Sequence, residues 1–387
     1  VLRSAESESE QERERGEGEG EGSHSSMAPT SVESVEAACS TFVHAATPEA
    51  RKQAEAQLLL FRQSDDPLPL CVTLLELERS PHAQFHGLAT LRERAHEKWP
   101  ALDATARDAL QLKLLQLIAG GAASSATRVA SFVMREAAQV ASLLAKLALL
   151  DAATSADSAA IFNGDAAGGG HGGYGEGGAG LCSILGRISE LIAAPDISHA
   201  VVGVHVLESL VLEFGSPSCG AAGGGLRWAE HSLARRIFGR YHLLPAFYTG
   251  LRALERIRAQ LNHSAAEAGI SSPMNMILSP TTTHFVENCA SVLGLILSWD
   301  FDSGPAVSEA GDSDSESRPG LNATIVRPPA ESGDWAAVLG STQLLSCVIE
   351  IYAAAARGGV AFSHARHALG QLLVMLSSVS HRVVGGG

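Results

Sequence analysis

An all-α chain of repeated helical pairs is the fold class this sequence predicts, and three observations carry that expectation. Hydrophobic residues make up 45% of the chain but aromatics only 5%, a balance that suits stacked helices better than aromatic-rich sandwiches or barrels. From Ser31 onward, apolar residues recur at helical spacing in one segment after another, each opened by a capping residue or a proline. Helices beginning near Pro48, Pro81 and Arg128 alternate with shorter partners, close to the ~40-residue period of HEAT and armadillo repeats. A chain of 387 residues accommodates two ordinary domains or one long array. Helices this short cannot each bury an apolar stripe alone, whereas stacked pairs share one continuous core. The expected architecture is therefore a HEAT/armadillo-type superhelical solenoid.

Taken in order, residues 1–30 are expected to be a disordered acidic tail. The run VLRSAESESEQERERGEGEGEGSHSS offers too little apolar surface to offset the entropy of ordering, and Met27 directly after it is a candidate start. Residues 31–163 form the first block of repeats. Thr47 is placed to cap a helix whose first position is Pro48, with Ala50, Ala54, Leu58 and Phe61 on one face and Arg51, Lys52, Glu55 and Arg62 on the other. A helix over Leu68–Glu78 follows. Ser80-Pro81 then opens one with Phe85, Leu88, Ala95 and Trp99 as its buried stripe. Asp103 caps the next, carrying Leu110, Leu114, Leu117 and Ile118, and another runs from about Arg128 to Leu150.

Residues 164–180 (GDAAGGGHGGYGEGGAG) read as a flexible insertion by composition. Repeats resume over 181–302: a pair at Leu181–Ala194 and Ile197–Phe214 broken at Pro195-Asp196, one long or broken helix from Leu226 to about Asn262, and another over 283–299. Residues 303–331 read as an acidic loop. Residues 332–387 hold two more helices, Asp334–Ala356 and Phe362–Val379. The bare Gly385-Gly386-Gly387, without a polar capping repeat, reads as truncation.

Composition also narrows the partners. A net charge of -14, from 42 acidic and 28 basic residues, disfavours nucleic acid and anionic lipid. The six cysteines, Cys39, Cys71, Cys182, Cys219, Cys289 and Cys347, form no CxxC pair and read as reduced, mostly buried thiols. The strongest apolar run, Val140–Leu150, contains Lys146 and is too short for a bilayer, and the acidic N-terminus lacks a signal sequence. A soluble intracellular protein is expected.

Each motif that invites a chemical reading has a plainer one. Gly175–Gly180 matches G-x-G-x-x-G, with Asp196 at the distance of a ribose-binding acid, but the preceding glycine tract cannot supply the strand that this fingerprint needs. His82/His86 and His364/His367 have the spacing of metal ligands without an evident third one, so solvated or capping histidines are the better reading. Neither a nucleophile elbow nor a cysteine-protease signature is present. The sequon at Asn322 would stay unused inside a cell. Arg227, Arg235, Arg236, Arg240, Arg252, Arg256 and Arg258 interleave with Trp228, Phe238, Tyr241, Phe247 and Tyr248, a mixture that stacking on bases would need. A helix pair with core aromatics and solvated arginines is preferred, with protein-partner binding next.

The segment Arg51–Arg62 (RKQAEAQLLLFR) resembles the R-x-x-A-E-x-x-L-x-x-F opening of importin-β-type (karyopherin) transport receptors. Pro67–Glu76, Phe85–Thr90 and Glu97-Lys98-Trp99 continue in register and resemble the exportin branch, as do Val292–Phe301 (VLGLILSWDF) and Ser332-Gly333-Asp334-Trp335. The resemblance spans about Thr47–Asp151, is patchy afterwards and is absent from the tail and the Gly-rich insertion. The chain departs from the pattern at Gly87, where the family tends to have Ala, and at the more charged Arg92-Glu93-Arg94. The resemblance implies a Ran-GTP-binding receptor that carries protein cargo past nucleoporins and shuttles between nucleus and cytoplasm, without cofactor or metal. A repeat scaffold independent of Ran is the alternative. Because Ala54, Leu58, Phe61, Phe85, Leu88 and Trp99 are expected to be core, no catalytic, cofactor-binding, metal or partner-binding residue is assigned. No enzymatic activity is expected.

Overall fold

The computed structural model describes residues 31–120, 129–154, 179–215, 226–269, 278–299 and 333–378. The tail 1–30, the insertion up to residue 178, the loop 303–331, the sequon at Asn322 and the terminal glycines lie outside them. Among the described residues every regular element is helical: fourteen α-helices and two short 3-10 turns. The chain divides after Asp65 into two compact units.

The first unit contains α1 (Val32–His44) and α2 (Pro48–Arg62), packed on each other. Ser31 and Ser34 cap α1 reciprocally, each side-chain oxygen accepting the other's backbone N–H at 3.2 Å. Thr47 Oγ1 accepts the Ala50 N–H at 3.2 Å and Pro48 opens α2, as expected. Ala54, Leu58 and Phe61 are buried while Arg51, Lys52 and Glu55 are exposed. Thr47→Ala should cost about 1 kcal/mol of α2 stability. It should speed amide exchange in the first turn several-fold, with Thr47→Ser close to wild type; equal exchange in all three would refute the capping role.

The second unit contains α3 (Leu68–Leu74), α4 (Pro81–Lys98), α5 (Ala104–Gly120), α6 (Ser131–Thr154), α7 (Ala179–Ala193), α8 (Ile197–Gly215), α9 (Trp228–Tyr241), α10 (Leu243–Glu267), α11 (Pro280–Leu297), α12 (Gly333–Leu339), α13 (Thr342–Arg357) and α14 (Ser363–Ser377). Helices pair as α3/α4, α5/α6, α7/α8, α10/α11 and α13/α14, and α4, α6, α8, α11 and α14 each pack on the next in that order. The result is a succession of hairpins, each burying the apolar face that its neighbour leaves open. Ser80, Asp103, Ser279 and Ser341 accept first-turn backbone N–H groups of α4, α5, α11 and α13.

Three expectations need correction, and one open alternative is decided. The helix from Leu68 stops at Leu74 instead of reaching Glu78, because Leu75 and Glu76 tighten into i→i+3 bonds and the Gln84 side chain donates to the Glu76 carbonyl at 2.7 Å. Of the two readings left open for Leu226–Asn262, one long or a broken helix, the structure takes the broken one, at His242: its N–H still bonds to Phe238, but Pro245 cannot donate into a continuous ladder. Asp334–Ala356 is two helices, since Ser341 after Gly340 starts a new cap. Phe85 is only half-buried, with its ring edge on the exposed Phe132.

The departures at Gly87 and Arg92 fit the packing. A Cβ on Gly87 would sit 3.1 Å from Leu74 Cβ, so glycine brings α4 close to α3, and Arg92 pairs with Glu136 across α4 and α6 at 3.1 Å. By length and composition, α6 and α8 could cross a membrane, contrary to the short run read from Val140–Leu150. They pack instead on each other and share a buried polar cluster, the arrangement of core helices.

Candidate partner-binding face

The α9–α10 pair contains all seven arginines of the basic cluster or lies next to them, and the structure divides those side chains between two jobs. Some brace the fold. Arg256 donates to the carbonyls of Ile192, in the last turn of α7, and of Pro195, just beyond it, at 2.6 and 2.7 Å. Arg258 makes a two-pronged pair with Glu350 of α13 at 2.7 and 2.8 Å, which holds its guanidinium charged. Arg235 lies over the Trp299 ring at 5.3 Å. Others face solvent: Arg236, Arg240 and Arg252 are exposed. The aromatics divide likewise. Phe238 and Phe247 are fully buried, Phe238 stacking on Phe214 at 4.3 Å, whereas Trp228 is 66% and Tyr248 41% exposed.

Two open grooves meet at Tyr248 and Arg252. One, of about 440 Å³, lies between α7 and α10 and is lined by Leu185, Gly186, Ser189, Pro245, Tyr248, Thr249 and Arg252. The other, of about 290 Å³, lies between α10 and α12–α13, with Leu251, Val338 and Leu344 on its apolar side and Glu255 and Gln343 on its polar side. Ser189 and Thr249 hydrogen-bond each other at 3.3 Å, and Glu255 accepts from Gln343 at 3.3 Å. These polar groups are already engaged, which leaves the Tyr248 hydroxyl and the Arg252 guanidinium to meet a ligand.

Sequence reading noted Lys146 only as an interruption, and the structure places it at the centre of a buried cluster. Its Nζ is fully enclosed and donates at 2.9 Å to each of three acceptors: the Glu213 carbonyl, the Glu213 carboxylate and His231 Nδ1. The Glu213 carbonyl belongs to the last turn of α8, so Lys146 satisfies an acceptor that the helix itself cannot. His231 must be neutral to accept. Burial and the adjacent Lys146 push it down to about 4. The signal available beforehand was a single lysine within an apolar helical run, since an ammonium there must find partners.

The other candidates are structural. Asp196 Oδ1 accepts the Ser198 N–H at 2.9 Å at the start of α8, and that bond holds its carboxyl below the usual range; it caps a helix. Gly175–Gly178 lie outside the described residues, and Ala179-Gly180 open α7. His82 stacks on Phe132 at 5.6 Å, His86 meets the Phe85 edge, and His364 and His367 are exposed. Among the described residues no group of three His, Cys, Asp or Glu is placed to hold a metal. Cys39, Cys71, Cys289 and Cys347 are buried free thiols. Desolvation raises all four, to about 11 for Cys39 and about 12 for Cys71 and Cys347, opposing the thiolate that a nucleophile needs. Trp99 donates from Nε1 to Asp151 at 2.6 Å, and Arg107 reaches the same oxygen while lying 4.8 Å over the indole, which fastens α4 and α5 to α6.

No family model matches the chain. It is 24% identical over 332 residues to Exportin-4 of Dictyostelium discoideum, an alignment covering 83% of this chain and 26% of that protein. The relation is karyopherin-like. The chain spans about a quarter of the length of this curated relative.

Proposed function

We propose that this chain is part of an exportin-type nuclear transport receptor, a superhelical solenoid that binds Ran-GTP and protein cargo and shuttles between nucleus and cytoplasm past nucleoporins. The observation that carries the reading is the similarity to Exportin-4 along 83% of the chain. The stacked hairpins and the division of α9–α10 arginines into braces and solvent-facing cations support it. The activity is binding without catalysis: Ran-GTP and cargo favour the same curvature of the repeat array, so each raises the other's affinity, and hydrolysis of the bound GTP releases both.

Immobilised chain incubated with Ran loaded with GTP or GDP tests this. Preferential retention of the GTP form is expected. Equal retention of both forms, or of neither, overturns the Ran-dependent reading in favour of a scaffold.

A further inference from the structure

We propose that the double groove around Tyr248 and Arg252 binds an acidic segment of a partner protein. Its carboxylates would meet the Arg252 guanidinium and the Tyr248 hydroxyl, while the aliphatic parts of the segment rest on Leu185 and Pro245. The proposal rests on the reading of this chain as a partner-binding receptor and adds the chemistry of one partner surface.

The first support is charge. The chain as a whole is acidic, with a net charge of -14, yet the stretch Leu226–Glu267 contains seven arginines, three glutamates and neither lysine nor aspartate. Arginines outnumber glutamates by seven to three there: Glu230 accepts the Arg227 N–H, Glu255 accepts from Gln343 on the polar side of the second groove, and Glu267 lies beside His263. The exposed Arg236, Arg240 and Arg252 make this stretch a basic exception within an acidic chain, and Arg252, which borders both grooves, is the cation placed to draw an acidic partner there.

The second support is the contrast within α10. Arg256 and Arg258 spend their N–H groups on neighbouring helices, whereas Arg252, one turn earlier, has no hydrogen-bond or ion-pair partner among the described residues and borders both grooves. Tyr248 lies four residues before it, on the same face, and also touches both. The cation and the phenol thus stand side by side over an apolar floor, with their polar hydrogens unspent. A guanidinium beside a hydroxyl suits a carboxylate. The third support is room: a Cβ on Gly186 would meet nothing within 4 Å, so the α7 wall leaves space for a chain.

The test uses the whole chain and a labelled synthetic peptide of alternating glutamate and leucine, alongside its glutamine and lysine analogues, followed by fluorescence polarisation. The glutamate peptide should bind, weaken as salt rises, and outbind both analogues. Arg252→Glu should cost at least about tenfold in affinity. Arg252 is exposed and unpaired, so this variant should keep the wild-type far-UV circular dichroism. Gly186→Leu should also reduce binding by filling the groove, at no cost to a helix that gains a better helix former. No binding of the glutamate peptide, equal binding of the glutamine analogue, or undiminished binding to Arg252→Glu would each overturn the proposal. None of these arms contains Ran or nucleotide, so the outcome is independent of the Ran test.

Discussion

Lys146→Ala should destabilise the second unit by about 3–5 kcal/mol, measured by chemical denaturation. The side chain is fully buried in α6, and removing it strands the Glu213 carboxylate and the last-turn carbonyl of α8 while leaving His231 Nδ1 without its donor. Each orphaned polar group then carries its own desolvation cost. The pairing, rather than the lysine stem alone, should account for most of the effect. Lys146→Met, which keeps the stem, should still be strongly destabilising, and adding Glu213→Gln should recover part of the loss as a positive coupling between the two sites. A cost below about 1 kcal/mol for Lys146→Ala would show that the cluster is not a supporting element.

Acidification should unfold the second unit well before its carboxylates titrate fully. His231 is held down to about 4, chiefly by burial and then by Lys146 and Arg235. His242, at the α9–α10 junction, is held down to about 4 by burial. In the unfolded chain both return to about 6.5. Between those values the unfolded state binds more protons, so stability rises with pH across the window. The stabilisation is complete above about 6.5, declines as pH falls towards 4, and does not decline further on their account below that. At about 1.4 kcal/mol per unit of pKa, each histidine contributes roughly 3 kcal/mol. His231→Asn keeps an acceptor near the Nδ1 position but cannot titrate, so it should flatten part of the pH 4–6.5 slope and leave the share due to His242. An unchanged slope in that variant would contradict the burial of a neutral His231.

Helix positions were largely legible because their signals are local. Thr47-Pro48, Ser80-Pro81 and Asp103 announce helix starts through backbone groups a few residues away, and the Ala54-Leu58-Phe61 face follows from helical spacing alone. Helix ends and breaks were less legible. The early stop at Leu74 depends on Gln84 reaching the Glu76 carbonyl, a partner on the next helix. Phe85 was assigned to the core by its spacing, but which side of α4 is covered depends on α6, whose Phe132 meets it at the surface.

The arginine cluster shows the same division. Composition marked residues 227–258 as basic and aromatic, and that much was correct. Which guanidinium braces a neighbour and which is left for a ligand depends on carbonyls at Ile192 and Pro195 and a carboxylate at Glu350, 61 to 92 residues away along the chain. By itself, then, the sequence determined an all-helical chain of amphipathic pairs, because caps, prolines and a 3.6-residue period act over a turn or two. Only the tertiary structure decided that Lys146 is paired rather than solvated, that His231 is neutral, and that Arg252 is the α10 cation left over. Burial and pairing belong to helices brought together from distant parts of the chain, and no local pattern encodes that meeting.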